Sequence, residues 1–276
     1  DVHLTADAEI EWMPEAGADK VKLVLLVTAP DGGTTLSAES APVDVFASSA
    51  PSLALTGLQD DLRSSHVRAE LTVSDPQLWW PNGYGEQPLY EVKALLLSET
   101  ETTSKSPAPL DVWHKRIGLR TMTVNTDPMP DEVWDPHLTD QEEDLDDGTN
   151  ILMNHGSKMM LVADRKASKL PGRNFAFEVN GLQIFAMGAD YIPEDNILTR
   201  QTRERTDLLM ATAQESHFNC IRIWGGGYFM DDFFYDVCDE RGLLIWHDFM
   251  FACASYELDH DFEENISAEI RQNIRR

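Results

Sequence analysis

The sequence has few cysteines, few basic residues and no long hydrophobic run, and each shortage excludes a class of protein. Three cysteines in 276 residues argue against a disulfide framework and favour a reducing compartment. No apolar run approaches the roughly 18 residues that a membrane span needs. Lys and Arg total 22 against 48 Asp and Glu, which gives a net charge of −26. A field of that sign repels phosphate backbones and anionic lipids, so we expect neither nucleic acid nor membranes as partners.

The composition is otherwise that of a globular protein, with 42% hydrophobic and 25% charged residues. A length of 276 residues corresponds to about two domains. No signal peptide is visible at Asp1, and with the low cysteine content this predicts a cytoplasmic protein.

Residues 1–125 show the pattern of an antiparallel β domain. Short apolar runs alternate with turn residues, and the apolar residues of His66 to Val73 recur at every second position. About seven such runs without a helical stretch predict an immunoglobulin-like β-sandwich. The other clear runs are Val21 to Thr28, Val43 to Ala47, Ser52 to Leu58, Tyr90 to Leu97 and Asp111 to Val124.

Residues 126–174 are predicted to be an acidic linker or insertion. Positions 127 to 147 hold ten acidic residues, three prolines and no Lys or Arg. A segment of this composition buries too little apolar surface to offset chain entropy, so an exposed, mobile loop is expected. A short strand at Met159 to Val162 is the regular element predicted here.

Residues 175–276 change to strands that alternate with helices. A hairpin comes first, because the Asn180-Gly181 pair suits a type I′ turn. Three strand–helix units follow and predict a parallel sheet, although closing a barrel takes about eight strands. The strands are Ile184 to Ala189, Asn219 to Trp224 and Leu243 to Phe249; the helices are Thr202 to Ser216, Asp231 to Arg241 ended by Gly242, and one from about Asp261, where Asp261 suits a capping box.

Polar and aromatic residues follow these strands at the edge where α/β proteins bind ligands. Arg222, a fixed cation, suits a carboxylate, and Trp224, two positions on and expected on the same side of the strand, suits a ring. Asp190 and Asp248 follow the neighbouring strands and could bind sugar hydroxyls or orient another side chain. The alternative is a glycine turn with a structural salt bridge. His247 has no second His at ligand spacing, so no metal and no cofactor are predicted.

The segment Leu78 to Gly85 places two Trp and one Tyr among turn residues. Such rings either stack on the apolar face of a sugar or fill the end of a sandwich, and packing is the commoner use. Cys220 and Cys238 lie among apolar neighbours and are expected to be inert packing thiols.

Five segments, in order, resemble glycoside hydrolase family 2. They are Trp79 to Gly83, Lys115 to Thr121, Gly188 to Pro193, Asn219 to Gly227 and Trp246 to Cys253. The Trp-Gly-Gly-Gly and Asp-Phe-Met-Phe-Ala-Cys runs resemble its β-mannosidase branch. The resemblance implies an immunoglobulin-like β-sandwich over residues 1–125, followed over residues 175–276 by the first three βα units of a (β/α)8 TIM barrel.

The resemblance also implies a retaining mechanism with two glutamates, an acid/base after barrel strand 4 and a nucleophile after strand 7. Both would lie beyond Arg276, so no catalytic residue is expected in this chain and the isolated chain is expected to be inactive. By the same resemblance Trp224 walls the reacting sugar and Arg222 orients and ionises the nucleophile. Asp190 and Asp248 would line the rim, although the family's mannosidases usually carry Asn where Asp190 stands.

The leading hypothesis is therefore part of a retaining exo-β-mannosidase that hydrolyses terminal β-D-mannose residues of β-mannoside glycans without a cofactor. One alternative is another family 2 glycosidase such as a β-galactosidase. A second is a non-catalytic module that binds carbohydrate or a partner through Trp79 and Trp80, and a third is a small hydrolase that uses Asp248. The open edge of a partial barrel predicts self-association.

Overall fold

The computed structural model describes residues 1–12, 20–44, 63–99, 108–127, 151–154, 157–160 and 173–276. The chain forms two compact units, one of residues 1–120 with 186–276 and one of residues 121–185. In the part of the chain that the structure describes, no helix is long and apolar enough to cross a bilayer.

The β part of the larger unit is built from two antiparallel sheets. One sheet pairs β1 with β5, and the other has the order β3-β2-β6-β7 with β4 beside β2. Every second side chain of β2 is buried, and these residues share one core with the inward side chains of β5. The predicted β-sandwich is therefore observed. The strands are β1 (Val2–Trp12), β2 (Lys20–Thr28), β3 (Thr35–Glu39), β4 (Val43–Asp44), β5 (Arg63–Val73), β6 (Leu89–Ser98) and β7 (Asp111–Gly118).

One predicted strand cannot be compared with the structure, and another is divided in two. The strand predicted at Ser52 to Leu58 lies outside the described residues. The single strand predicted over Asp111 to Val124 is two strands, because β7 ends at Gly118 and β8 (Met122–Asn125) begins after it. Gly118 has no room for a side chain, since a Cβ there would lie 2.7 Å from the Trp79 ring.

The smaller unit contains the predicted hairpin. Strands β11 (Ala176–Val179) and β12 (Leu182–Ile184) flank Asn180 and Gly181, whose φ values of 52° and 78° are those of a type I′ turn. Strand β8 pairs antiparallel with β11, so the hairpin joins β8 in one sheet and not the parallel strands that follow. The smaller unit thus includes residues on both sides of the boundaries predicted near residues 125 and 175. Strands β9 (Ile151–Asn154) and β10 (Ser157–Met160) form a separate hairpin, and the acidic segment from 128 to 147 lies outside the described residues.

The parallel sheet predicted from the strand–helix alternation is present in the larger unit. Its order is β13-β14-β15, and the helices α1 and α2 pack on one of its faces through a second apolar core. The first strand begins later than predicted, at Gly188. The elements are β13 (Gly188–Tyr191), a 3-10 turn (Leu198–Arg200), α1 (Arg203–Glu215), β14 (Cys220–Ile223), α2 (Asp232–Arg241), β15 (Leu244–His247) and α3 (His260–Arg275).

Local signals fix the ends of these helices. Thr202 and Asp231 cap α1 and α2, each accepting a hydrogen bond from a backbone N–H three residues on. Gly242 ends α2 in the left-handed conformation, at φ 73°, as the sequence predicts. The predicted capping role of Asp261 is wrong, because Asp259 caps α3 and Asp261 lies inside its first turn.

The aromatic turn at Leu78 to Gly85 joins the sandwich to the helices. Trp79 is fully buried, its Nε1 donates to Asp239 O at 2.7 Å, and the guanidinium of Arg120 lies 4.3 Å from its ring centroid. Asn82 Nδ2 donates to Gln214 O and Phe218 O, both at 2.9 Å, at the end of α1. Packing is thus the use of Trp79, and the carbohydrate-module alternative retains only the half-buried Trp80.

Candidate functional site

The parallel sheet brings three of the predicted site residues together. Asp190 on β13 and Arg222 on β14 are register partners, so their side chains leave the same face of the sheet. Asp248 follows β15 directly, and its backbone N–H donates to Ile223 O at 3.1 Å, which holds it beside the end of β14. All three lie at the carboxyl end of the parallel strands, as predicted.

Arg222 donates hydrogen bonds to both carboxylates. Its Nε and Nη2 donate to the two oxygens of Asp248 at 3.2 and 2.6 Å, in the bidentate arrangement that suits a guanidinium. Its Nη1 donates to Asp190 Oδ1 at 2.9 Å. The hydrogen bond with Asp248 is the main reason that the pKa of Arg222 is raised above its usual value, so the side chain stays cationic. An Asn at position 190 could accept the same hydrogen bond through its side-chain oxygen.

The cluster is open to a ligand. A guanidinium has five N–H donors, and the bonds to Asp190 and Asp248 engage three of them, which leaves two for another acceptor. The side chains of Arg222 and Asp190 are 43% and 48% exposed, so an acceptor can reach them. Ion pairs this exposed contribute little to stability. The arrangement therefore suits recognition of a carboxylate or a sugar hydroxyl better than it suits support of the fold.

Asp248 also fixes the glycine turn after β14. Its Oδ2 accepts a hydrogen bond from Gly225 N at 3.1 Å, besides the one from Arg222. A Cβ at Gly225 would lie 2.6 Å from Phe249 O, so only glycine lets the two strand ends approach this closely. The three predicted groups Arg222, Asp248 and the glycines thus form one structure.

Among the described residues, no hydrogen bond joins Trp224 to Asp190, Arg222 or Asp248, and its backbone N–H donates to Tyr191 O at 3.1 Å. The prediction that it points to the same side as Arg222 assumes that the strand continues, but β14 ends at Ile223. Trp224 instead lines a shallow apolar depression with Tyr191, Ile223 and Tyr228. Tyr191 and Ile223 belong to the opposite face of the sheet from Arg222. The structure brings together Asp190, Arg222 and Asp248, and Trp224 begins the turn that follows β14.

His247 packs inside the protein. Its ring stacks on Phe229 with centroids 5.1 Å apart, and its Nδ1 lies 2.6 Å from Asp248 O. A carbonyl oxygen only accepts, so Nδ1 carries the proton. His247 is the register partner of Ile223, whereas Asp248 bonds to Arg222 on the other face, so the two side chains point apart as the alternation along a strand predicts. Within the described ranges no three His, Cys, Asp or Glu side chains are grouped to hold a metal ion.

The two internal cysteines are packing residues, as predicted. Cys220 and Cys238 are buried, and burial raises the pKa of each thiol, which keeps both in the neutral, unreactive form.

Asn82 is the residue that sequence reasoning missed. It holds the ends of both helices behind the site, through Gln214 O and Phe218 O and through its backbone N–H, which donates to Gly242 O at 2.8 Å. Its place in a Trp-Trp-Pro-Asn-Gly turn is typical of an Asn that bonds locally. Its partners lie more than 130 residues away in the sequence, where no local pattern indicates them.

Comparison with known proteins agrees with the sequence motifs. The family model for glycosyl hydrolases family 2 matches residues 2–120. Beta-mannosidase B of Thermothelomyces thermophilus is 32% identical over 217 residues, which is 78% of this chain and 20% of that protein. Beta-mannosidase A of Emericella nidulans is 28% identical over 282 residues, 99% of this chain and 24% of that protein. The chain therefore spans about a fifth to a quarter of the length of these relatives.

Solved structures give the same result. The crystal structure of a β-D-mannosidase from Dictyoglomus thermophilum matches 99% of this chain and 25% of its own, with a TM-score of 0.68 and 25% identity. A β-glucuronidase from Bacteroides uniformis matches with a TM-score of 0.61 at 17% identity, over 99% of this chain and 24% of its own, and shows a shared fold. The chain belongs to glycoside hydrolase family 2 and, within it, resembles the β-mannosidase branch.

Proposed function

We propose that this chain is part of a retaining exo-β-mannosidase that removes terminal β-D-mannose residues from β-mannoside glycans. Its three βα units would be the first three of a (β/α)8 catalytic barrel, with the sandwich beside them. The observation that carries the proposal is the Arg222 guanidinium, fixed by Asp190 and Asp248 at the carboxyl end of parallel strands with two N–H donors to spare.

The chemistry follows from what a retaining glycosidase needs. The nucleophile must be ionised when it attacks the sugar, and a neighbouring cation favours the ionised form of a carboxyl group. Arg222 can offer its two remaining donors to that carboxylate or to a hydroxyl of the sugar. Asp248 contributes by holding the guanidinium in one plane, because both of its oxygens accept hydrogen bonds from Arg222. The family resemblance assigns the wall of the sugar to Trp224, which directly follows the end of β14.

The test is the activity of the whole protein. We expect it to hydrolyse 4-nitrophenyl β-D-mannoside faster than the matching β-D-galactoside and β-D-glucuronide, and proton NMR of the reaction should show β-mannose as the first product. A preference for the β-galactoside would support the alternative of another family 2 glycosidase. Absence of hydrolysis of all three would overturn the proposal.

The isolated chain of residues 1–276 is expected not to hydrolyse an aryl β-mannoside. Retaining catalysis needs an acid and a nucleophile about 5–5.5 Å apart across the sugar. The two carboxylates of this site instead converge on one guanidinium, which engages oxygens that a general acid would protonate. Turnover by the purified chain that Asp190→Asn or Asp248→Asn abolishes would show that the site is complete here and wrongly assigned.

The isolated chain is also expected to self-associate. Strands β13 and β15 are the outer strands of the parallel sheet and each has one edge without a strand partner among the described residues. Trp246 on β15 and Phe249 just after it are 42% and 40% exposed, which adds apolar surface near that edge. Light scattering should give a mass that rises with concentration. A monomer that melts reversibly at high temperature would instead indicate a self-contained fold.

A further inference from the structure

Three consecutive glycines follow Trp224, and each has a different neighbour. The N–H of Gly227 donates to Trp224 O at 3.1 Å, which closes a turn over residues 224–227. None of the three has a φ in the left-handed region. The backbone conformation of the turn therefore does not require glycine, and the reason for each must be the space at its Cα.

At Gly226 that space is filled by the indole of Trp224. A Cβ at Gly226 would lie 2.0 Å from Cη2, 2.2 Å from Cζ2 and 2.4 Å from Cζ3 of the ring. Carbon atoms in favourable contact are about 3.5–4.0 Å apart. The six-membered part of the indole thus rests on the Cα of Gly226, and any larger residue there must displace the ring.

The neighbouring glycines meet other groups. For a Cβ at Gly227 the nearest atom would be Cγ of Pro193, at 3.3 Å. A Cβ at Gly225 would meet Phe249 O. Gly226 is therefore the position in the turn at which a side chain and the Trp224 ring compete for one volume, and Gly227 is its matched control.

We propose that Gly226 is a positioning residue for Trp224, which it serves by leaving the indole room to lie flat on the turn. The consequence for substrate rests on the proposed function. In the whole enzyme, Gly226 would set the position of the Trp224 ring and therefore how closely a β-mannoside sugar ring packs against it. A methyl group at position 226 would move the wall.

Fluorine NMR of the chain labelled with 5-fluorotryptophan tests the contact between Gly226 and Trp224 without any substrate. The chain has seven Trp, and Trp224→Leu assigns the resonance of Trp224 by its disappearance. We expect Gly226→Ala to shift that resonance well beyond its linewidth and Gly227→Ala to leave it in place. An unmoved Trp224 resonance in Gly226→Ala overturns the proposal.

A double-mutant cycle covers the case in which Gly226→Ala folds poorly. Residues in direct contact give non-additive effects, whereas independent sites give additive ones. Gly226→Ala should lower the melting temperature when Trp224 is present, and most of that loss should vanish in the Trp224→Leu background, where the ring is gone. Equal losses in the two backgrounds overturn the proposal.

Kinetics of the whole enzyme test the effect of Gly226 on substrate packing. Gly226→Ala should raise KM for a β-mannoside by about tenfold, the effect of losing one well-placed aromatic contact. Unchanged KM and kcat would overturn the role in substrate packing. A whole protein that does not act on β-mannosides would defeat the proposed function, while the NMR and melting results would still decide the contact between Gly226 and Trp224.

Discussion

Replacing Arg222 by Ala in the whole enzyme is expected to lower turnover of a β-mannoside by on the order of 10²-fold or more, as loss of one transition-state electrostatic contact typically does. The change removes the cation that Asp190 and Asp248 share, so two uncompensated carboxylates remain at the rim of the site. A nucleophilic carboxyl group that loses a cation and gains two anionic neighbours is harder to ionise. The loss should therefore appear in kcat as well as in kcat/KM.

The melting temperature of the same variant shows whether Arg222 acts in catalysis or only stabilises the fold. The ion pairs of Arg222 are partly exposed to water, which weakens them, so its loss should change the melting temperature little. Arg200→Ala is the control, because Arg200 donates to both oxygens of Asp195, at 3.0 and 2.8 Å, and so makes the same kind of ion pair with a carboxylate that Arg222 does not bind. That variant should keep normal turnover. If Arg222→Ala melts early but turns over normally per folded molecule, Arg222 is structural and leaves the proposed site.

Trp79→Ala is expected to destabilise the chain by about 3–5 kcal/mol, the usual cost of removing a large aromatic side chain from a core. Trp79 is fully buried, and the change also removes the donor to Asp239 O and the ring under Arg120. Urea unfolding of the wild-type and variant chains, followed by circular dichroism, measures the free energy of unfolding. Trp79→Phe keeps a ring and loses the indole N–H, so its loss should be smaller.

Trp113→Ala is the matched control for this prediction. Trp113 lies on β7 and is 52% exposed, so its removal opens no cavity and should change the free energy of unfolding by no more than about 0.5 kcal/mol. Similar losses for Trp79→Ala and Trp113→Ala would mean that the buried aromatic turn does not hold the sandwich to the helices.

Local patterns in the sequence predicted most elements of the larger unit. Helix α2 is an example, because a capping Asp231 and a left-handed Gly242 mark both ends within twelve residues. Strand β1 was missed, although Val2, Leu4 and Ala6 recur at every second position and pack on the sandwich core. The interspersed acidic residues lower the mean hydropathy of that stretch, and the alternation was the signal that could have found it.

The candidate site was predictable in its residue types and less so in its geometry. The carboxyl ends of parallel strands meet at one edge, so Asp190, Arg222 and Asp248 could be expected to lie near each other. The position of Trp224 depends on where β14 ends, and a strand end is set by the pairing of neighbouring strands. The contact of Asn82 with α1 spans more than 130 residues and follows from tertiary packing alone.

The way Asn82 and Trp79 bind the helix ends also bears on the order in which the chain folds. Carbonyls at and just after the end of a helix need partners outside it, and here Gln214 O, Phe218 O and Gly242 O each accept a hydrogen bond from Asn82 on one turn of the sandwich. That turn emerges from the ribosome long before α1 does, so during synthesis the helices can dock on a finished template. When the denatured full-length chain refolds, the sandwich is not already formed. The chain must then close loops of 132 to 160 residues to make the same hydrogen bonds. We therefore expect the sandwich to fold without the helices, and the helices to acquire their native ends only after the sandwich has formed.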